Sequence, residues 1–259
     1  MRNKGLAVFS GLVYAFLLFP LVIITFVSFG KDSYLKFPPS GFSLHWVANI
    51  FKVEMFTKTL IVSLEVAGLG TLIAFLAGLP AAYGLSRYEF KGKDLLKGLF
   101  MSPVLVPGIV LGFSLIKLLI VQWGMPVLPS LLLGHTVIIL PYIIRVISSS
   151  LDNLDYSIEE CAVSLGANRV KTFFLVVLPN ITSGMIASFI LAFINSFNNV
   201  PLSVFLTGPG VSTLPIQMMS YVEYNYDPTI AALSVVLMAM TVVLMVIVEK
   251  TLGLNISVK

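Results

Sequence analysis

Charged residues are scarce in this chain. Lys and Arg number 16 and Asp and Glu 12 among 259 residues, or 11%, where a soluble globular domain carries about 25%. So few charges cannot cover the surface of a water-soluble fold of this size. With 58% hydrophobic residues and a mean hydropathy of +0.99, the solvent for most of the chain is lipid. The single cysteine, Cys161, excludes an intrachain disulfide framework. The two histidines, His45 and His135, are too isolated to make a metal site, and none is expected. The P-loop pattern G-x-x-x-x-G-K-[ST] is absent, as are a nucleophile elbow, an H-E-x-x-H and paired-Cys metal spacing; an enzyme has nothing to stand on. The net charge of +4 falls mostly between apolar runs, which points to membrane topology rather than to nucleic acid.

What the chain has in abundance is long apolar runs. A spanning helix needs about 20 mostly apolar residues, and six segments qualify: about 6–29, 59–85, 95–121, 127–147, 176–206 and 228–248. Met1-Arg-Asn-Lys4 resembles the basic start of a secretory signal, but the uncharged stretch Gly5–Gly30 exceeds the usual apolar core of about 7–15 residues. It reads as an uncleaved first span. The expected fold is all-α, a polytopic bundle of six spans forming one transmembrane domain over residues 1–259. With the N-terminus placed inside, eleven of the sixteen Lys and Arg fall on the inner side and five outside, so both termini are expected in the cytoplasm. Trp46 and Trp123 fall in outer connections, as interface aromatics do. The prolines and glycines within spans are tolerable in a bundle, and Gly108-Ile-Val-Leu-Gly112 reads as a site of close helix packing.

One polar segment stands out, Ser150 to Pro179 between the fourth and fifth spans, with a loop expected at about 150–175. Ser157 is placed to cap a short helix, with Glu160 three residues on as in a capping box. Ile158, Cys161, Ala162 and Leu165 follow at i, i+3, i+4 and i+7, one apolar stripe. Gly166 suits the position that ends the helix, and a second short helical run is expected at about 167–175. The first helix offers the small residues Cys161 and Ala162 beside the acidic pair Glu159-Glu160. Small side chains let another surface approach closely, and a carboxylate can pair with a basic group on it.

Glu160-Cys-Ala-Val-Ser-Leu-Gly166 followed by Val176-Val-Leu-Pro179 resembles the EAA loop of ABC-importer permeases, whose pattern is E-A-A, three residues, G, nine residues, I-x-L-P. The spacing fits throughout, with Cys161 for the first Ala and Val176 for the Ile. The resemblance implies a type I importer permease fold of the MetI-like kind. It also implies that the loop forms a coupling helix seated on an ATPase subunit, with Glu159, Glu160, Cys161, Ala162, Leu165, Gly166 and Ala167 as contact residues. The implied partners are two ATPase subunits that use ATP and Mg, a second permease subunit forming a heterodimer with this one (or a second copy of this chain forming a homodimer), and an extracytoplasmic solute-binding protein, all at a bacterial inner membrane. This chain itself is expected to bind no cofactor. Arg87-Tyr-Glu-Phe-Lys-Gly92 and Phe205-Leu-Thr-Gly-Pro-Gly210 with Leu214-Pro215 look like the second permease subunit of spermidine/putrescine importers.

The cargo is less sharply marked. After Phe193-Ile-Asn-Ser-Phe197, where polyamine permeases tend to carry acidic residues, this chain has Asn198-Asn199. Amides can hydrogen-bond a solute but cannot neutralise a cation at membrane depth. A polyamine-like solute therefore stands beside opine, amino-acid-derived, phosphonate and ferric-ion cargoes. Glu65, Asn195, Asn198 and Asn199 are the candidate pathway residues, and His135 is expected to hydrogen-bond between helices. Tyr221, Tyr224 and Tyr226, with Glu223 and Asp227, lie in the last outer connection. A secondary carrier or channel is the rival class, but no repeat is evident and a carrier has no need of the EAA spacing.

Overall fold

The computed structural model describes residues 4–252; Arg2 and Lys259, counted above toward inner termini, lie outside them. The chain first forms α1 (Lys4–Ser28), the short α2 (His45–Ile50) and the 34-residue α3 (Glu54–Arg87). Next come α4 (Lys93–Leu105), α5 (Gly108–Leu115) with π-helical turns over Ile116–Gln122, and α6 (Val127–Asp152). The polar segment forms α7 (Tyr156–Ser164) and α8 (Arg169–Thr172), then π-helical Phe173–Val177 and α9 (Leu178–Asn180). The chain continues as α10 (Thr182–Phe197), α11 (Ser203–Leu206), α12 (Leu214–Tyr224) and α13 (Thr229–Leu252).

Three of the expected spans are single helices, α1, α3 and α6, and the last two are longer than the apolar runs that announced them. Two are broken. The run at 95–121 bends by 100° between Lys93–Leu105 and Gly108–Gln122. Pro107 disfavours helical backbone at the residue before it, and Val106 is extended at φ −84°, ψ 130°. The run at 176–206 begins earlier, at Arg169, and bends by 72° between Arg169–Asn180 and Thr182–Phe197. Its helix stops at Phe197, and Leu206 belongs to the separate α11. Counting each bent pair as one span gives up to five, and α13 adds a shorter apolar helix over Thr229–Val243.

Among the described residues, two compact units can be distinguished. One holds the residues up to Lys58 together with Gln217–Glu249. Within it, Asn49 Nδ2 donates to Thr229 Oγ1 at 3.0 Å, the Phe56 and Tyr221 rings lie 5.0 Å apart, and Tyr221 donates to Asp227 Oδ2 at 2.8 Å. The other holds Thr59–Ile216 and is organised around α6. Ile139, Ile143, Ile144, Ile147 and Leu151 on α6 are buried against Ala74, Ala82 and Leu85 of α3, together with Val177, Ile181 and Ala192. A second cluster joins Leu131 of α6 to Val66, Leu202 and Leu206. A Cβ on Gly108 would meet Pro201 Cβ at 2.9 Å, and one on Gly112 would meet Phe205 Cδ2 at 2.9 Å. The G-x-x-x-G stretch is thus the face on which α5 approaches the α11 segment.

Candidate coupling site and pathway residues

The polar segment folds into a helix with two unlike sides. Its start lies two residues earlier than the sequence suggested. Asp155, not Ser157, is the N-cap: its carboxylate accepts from the Ser157 backbone N–H at 2.9 Å. The Ser157–Glu160 capping box is therefore not formed, because Ser157 already lies inside the first turn. The same hydrogen bond holds the Asp155 carboxyl below the usual aspartate range. The helix ends as expected. Gly166 sits at φ +92°, its N–H bonded to Val163 O at 2.9 Å, while Ala167 N–H reaches Ala162 O at 3.1 Å. That pair of bonds is a Schellman ending, and the positive φ is the reason for glycine here. The second helical run begins at Arg169, capped by Asn168, whose side chain accepts from Lys171 N–H at 2.9 Å.

The two adjacent carboxylates differ in burial. Glu159 was expected on the free surface with Glu160; it is only 4% exposed instead. Arg87, the last residue of α3, donates from Nε to Glu159 Oε1 at 2.7 Å, and the Tyr83 hydroxyl donates to Glu159 Oε2 at 2.9 Å. Arg87 Nη2 also donates to Leu154 O at 3.1 Å, and the guanidinium lies 5.5 Å from the centre of the Tyr156 ring. Arg169 sits similarly over Tyr88, at 5.7 Å. These groups line a half-open cleft of about 400 Å³. A buried charge is tolerable only when paired and hydrogen-bonded, and Glu159 meets both conditions. The effect is to fasten α7 to the end of α3.

The opposite side of α7 is uncovered. Cys161 and Ile158 are exposed, Ala162 is half-buried, and Leu165 is 90% exposed, while Glu160 is exposed at the mouth of the cleft. The stripe predicted from spacing exists, but it faces away from the rest of the chain. Sequence reasoning missed the fastening residues, Arg87, Tyr83 and Tyr156. No spacing rule links a basic residue at the end of one apolar span to an acid 72 residues later.

The pathway candidates are not brought together by hydrogen bonds. Glu65 lies on an exposed strip of α3 with Ile61, Leu69 and Leu72. Asn195 is half-buried, and its amide donates back to Leu191 O on the same helix at 2.8 Å. Asn198 is exposed, whereas Asn199 is committed locally, its Oδ1 accepting from Leu202 N–H at 3.0 Å. His135 behaves as expected for a helix–helix tie. It is 1% exposed, with Nδ1 2.8 Å from Ser196 Oγ and Nε2 2.9 Å from Ser203 Oγ. Ser203 already donates its hydroxyl proton to Asn199 O at 2.6 Å. Nε2 must then carry the imidazole proton, and Nδ1 must accept from Ser196.

The family model described as the binding-protein-dependent transport system inner membrane component matches residues 70–252. The chain belongs to this family. The match takes in the α7 loop and both bent helix pairs. The spermidine/putrescine transport system permease protein PotC of Haemophilus influenzae is 30% identical over 92% of this chain and 93% of its own length. The putrescine transport system permease protein PotI of Escherichia coli is 31% identical over 92% and 87%. The trehalose transport system permease protein SugB of Mycobacterium tuberculosis is 28% identical over 94% and 92%.

Solved structures agree on the fold. A bacterial ABC transporter that imports the acidic polysaccharide alginate aligns with a TM-score of 0.71 at 15% identity, over 99% of this chain and 97% of its own. The MetNI methionine ABC transporter aligns at 0.62 and 19% identity, over 78% and 94%. The chain therefore has the MetI-like fold of ABC importer permeases and is a transport permease rather than an enzyme. The bends at Val106-Pro107 and Ile181 are features of that permease, and so is the outward-facing stripe of α7.

Proposed function

We propose that this permease is one transmembrane half of an ATP-driven importer and that α7 transmits the power stroke. The observation that carries the reading is the two-sidedness of α7: Glu159 fastens one side to Arg87 of α3, while Ile158, Cys161 and Leu165 are exposed on the other. An uncovered apolar stripe flanked by a free carboxylate suits a groove on a second protein. In this reading that protein is one of two ATPase subunits, which hold ATP and Mg. Glu160, Ala162, Gly166 and Ala167 form the contact with Cys161 and Leu165, and Glu159 acts from behind by keeping α7 joined to α3. When the ATPase subunits close on ATP, α7 moves with them and the Arg87–Glu159 link passes the motion into the bundle. A second, different permease chain completes the pathway, a solute-binding protein delivers the solute from outside, and both termini lie in the cytoplasm of an inner-membrane protein.

For the cargo, the relatives named for spermidine and putrescine support a small organic solute carrying amino groups, with Glu65 the carboxylate available to it. A neutral solute is the second reading. It is favoured by the amides Asn198 and Asn199 in place of carboxylates and by the similarity to a trehalose permease. Cys161 gives a direct test of the docking surface, because it is the only cysteine in the chain and is exposed. A thiol label should modify it readily in the isolated permease and slowly in the assembled complex. Equal labelling in both would contradict docking at α7.

A further inference from the structure

A second cleft, of about 640 Å³, opens between α4 and α6 beside the end of α3. Its walls change character along their length. On α4, Lys93, Lys97, Met101 and Val104-Leu105 recur at helical spacing, charged at the start and apolar about 18 Å further on. On α6 the order runs the other way, from Pro141 and Tyr142 through Arg145 to Ser148 and Ser149. The start of α4 and the end of α6 lie at one end of the bundle, since Arg87 bonds Leu154 O just past α6. Both walls are therefore basic and hydroxylated at that end and apolar deeper in.

The charges at the polar end are incompletely matched. Lys93 pairs with Glu89 at 2.6 Å, and the Asp152 carboxylate also lines the cleft. Among the described residues, neither Lys97 nor Arg145 has an ion-pair partner. The deeper α4 residues Val104 and Leu105 are exposed. A molecule that complements this cleft carries an anion at one end and hydrocarbon at the other. Basic pockets between membrane helices on the cytoplasmic side are suited to such headgroups.

We propose that the cleft binds an acidic phospholipid of the inner leaflet, with its phosphate between Lys97, Arg145 and the serine hydroxyls and its acyl chains along Met101, Val104 and Leu105. The leaflet assignment rests on the inward orientation given under the proposed function.

The test uses the complete transporter, assembled with its partner permease and ATPase subunits, in nanodiscs of phosphatidylcholine with or without phosphatidylglycerol. Native mass spectrometry reads the phosphatidylglycerol retained after extraction. The wild type should retain it, and Lys97→Gln with Arg145→Gln should bind it roughly 30-fold more weakly, at about one Coulombic contact per removed charge. Lys97→Arg with Arg145→Lys should keep it. Equal retention by the Gln double variant would overturn the proposal. So would displacement by inorganic phosphate alone, which would assign the cleft to a soluble anion, or cross-linking of Ser149→Cys to the partner permease in place of a photoreactive phosphatidylglycerol. ATPase activity stimulated by the binding protein, read in nanodiscs with and without phosphatidylglycerol, keeps the two readings apart. If it persists while lipid retention fails, only the lipid site is lost; if it is absent in both lipids, the importer reading is at fault.

Discussion

Glu159 and Glu160 are neighbours in sequence, one buried and one exposed. Glu159 is buried and neutralised by Arg87. Removing one member of a buried ion pair leaves the other charge unpaired and costs about 3–5 kcal/mol. Glu159→Gln or Arg87→Met should therefore loosen α7 from α3, seen as faster hydrogen exchange over Tyr156–Ser164. Replacing both residues with methionine removes the unpaired charge and should recover much of that protection; a double variant as loose as the single ones would argue against the pair as the fastening. Glu160 is exposed, so Glu160→Ala should leave the fold unchanged and weaken recovery of the ATPase subunits with the permease. Gly166→Val forces a β-branched side chain to φ +92°, at a cost of about 1–2 kcal/mol, and should fray the last turn of α7. At the pathway, Asn198→Asp should favour cationic over neutral solutes in reconstituted vesicles, because Asn198 is exposed while Asn199 is tied to Leu202. Unchanged selectivity would remove Asn198 from the pathway.

At the scale of elements, α7 is held at both ends by local chemistry that depends little on its surroundings. The Asp155 cap has a definite pH dependence. Its carboxyl is held below 3.8 in the folded chain by the Ser157 N–H, so its contribution is fully present above that value. It fades as pH falls through the lower folded value. The protection factors of amides in the first turn of α7, corrected for the intrinsic pH dependence of exchange, should thus be flat across neutral pH and fall only in strong acid, and Asp155→Ala should show the lowered protection at neutral pH as well. The existence and type of most elements were legible from sequence, because runs of apolar residues and the Gly166 ending are local signals. The breaks were less so. Pro107 was visible, but proline is tolerated inside α1, α3, α4 and α6, so its presence alone does not tell a kink from a 100° turn. The direction of the α7 stripe was not legible either. Periodicity shows that Ile158, Cys161, Ala162 and Leu165 share a face, but only the contact between Arg87 and Glu159, far apart in sequence, turns that face outward.

For the whole molecule, a bundle built on α6 is joined to the proposed lever, α7, which has one side fixed to α3 and one side free. The proposed coupling residues follow a dense local pattern, whereas Glu65 and the asparagines are scattered over α3, the end of α10 and the turn after it. The most direct test of the lever measures ATP hydrolysis and solute uptake together, in vesicles holding the complete transporter with its binding protein. The account predicts that Arg87→Met or Glu159→Gln leaves the ATPase subunits bound and hydrolysing ATP while uptake per ATP falls at least several-fold. Uptake per ATP equal to that of the wild type, with α7 shown by hydrogen exchange to be loosened, would contradict it.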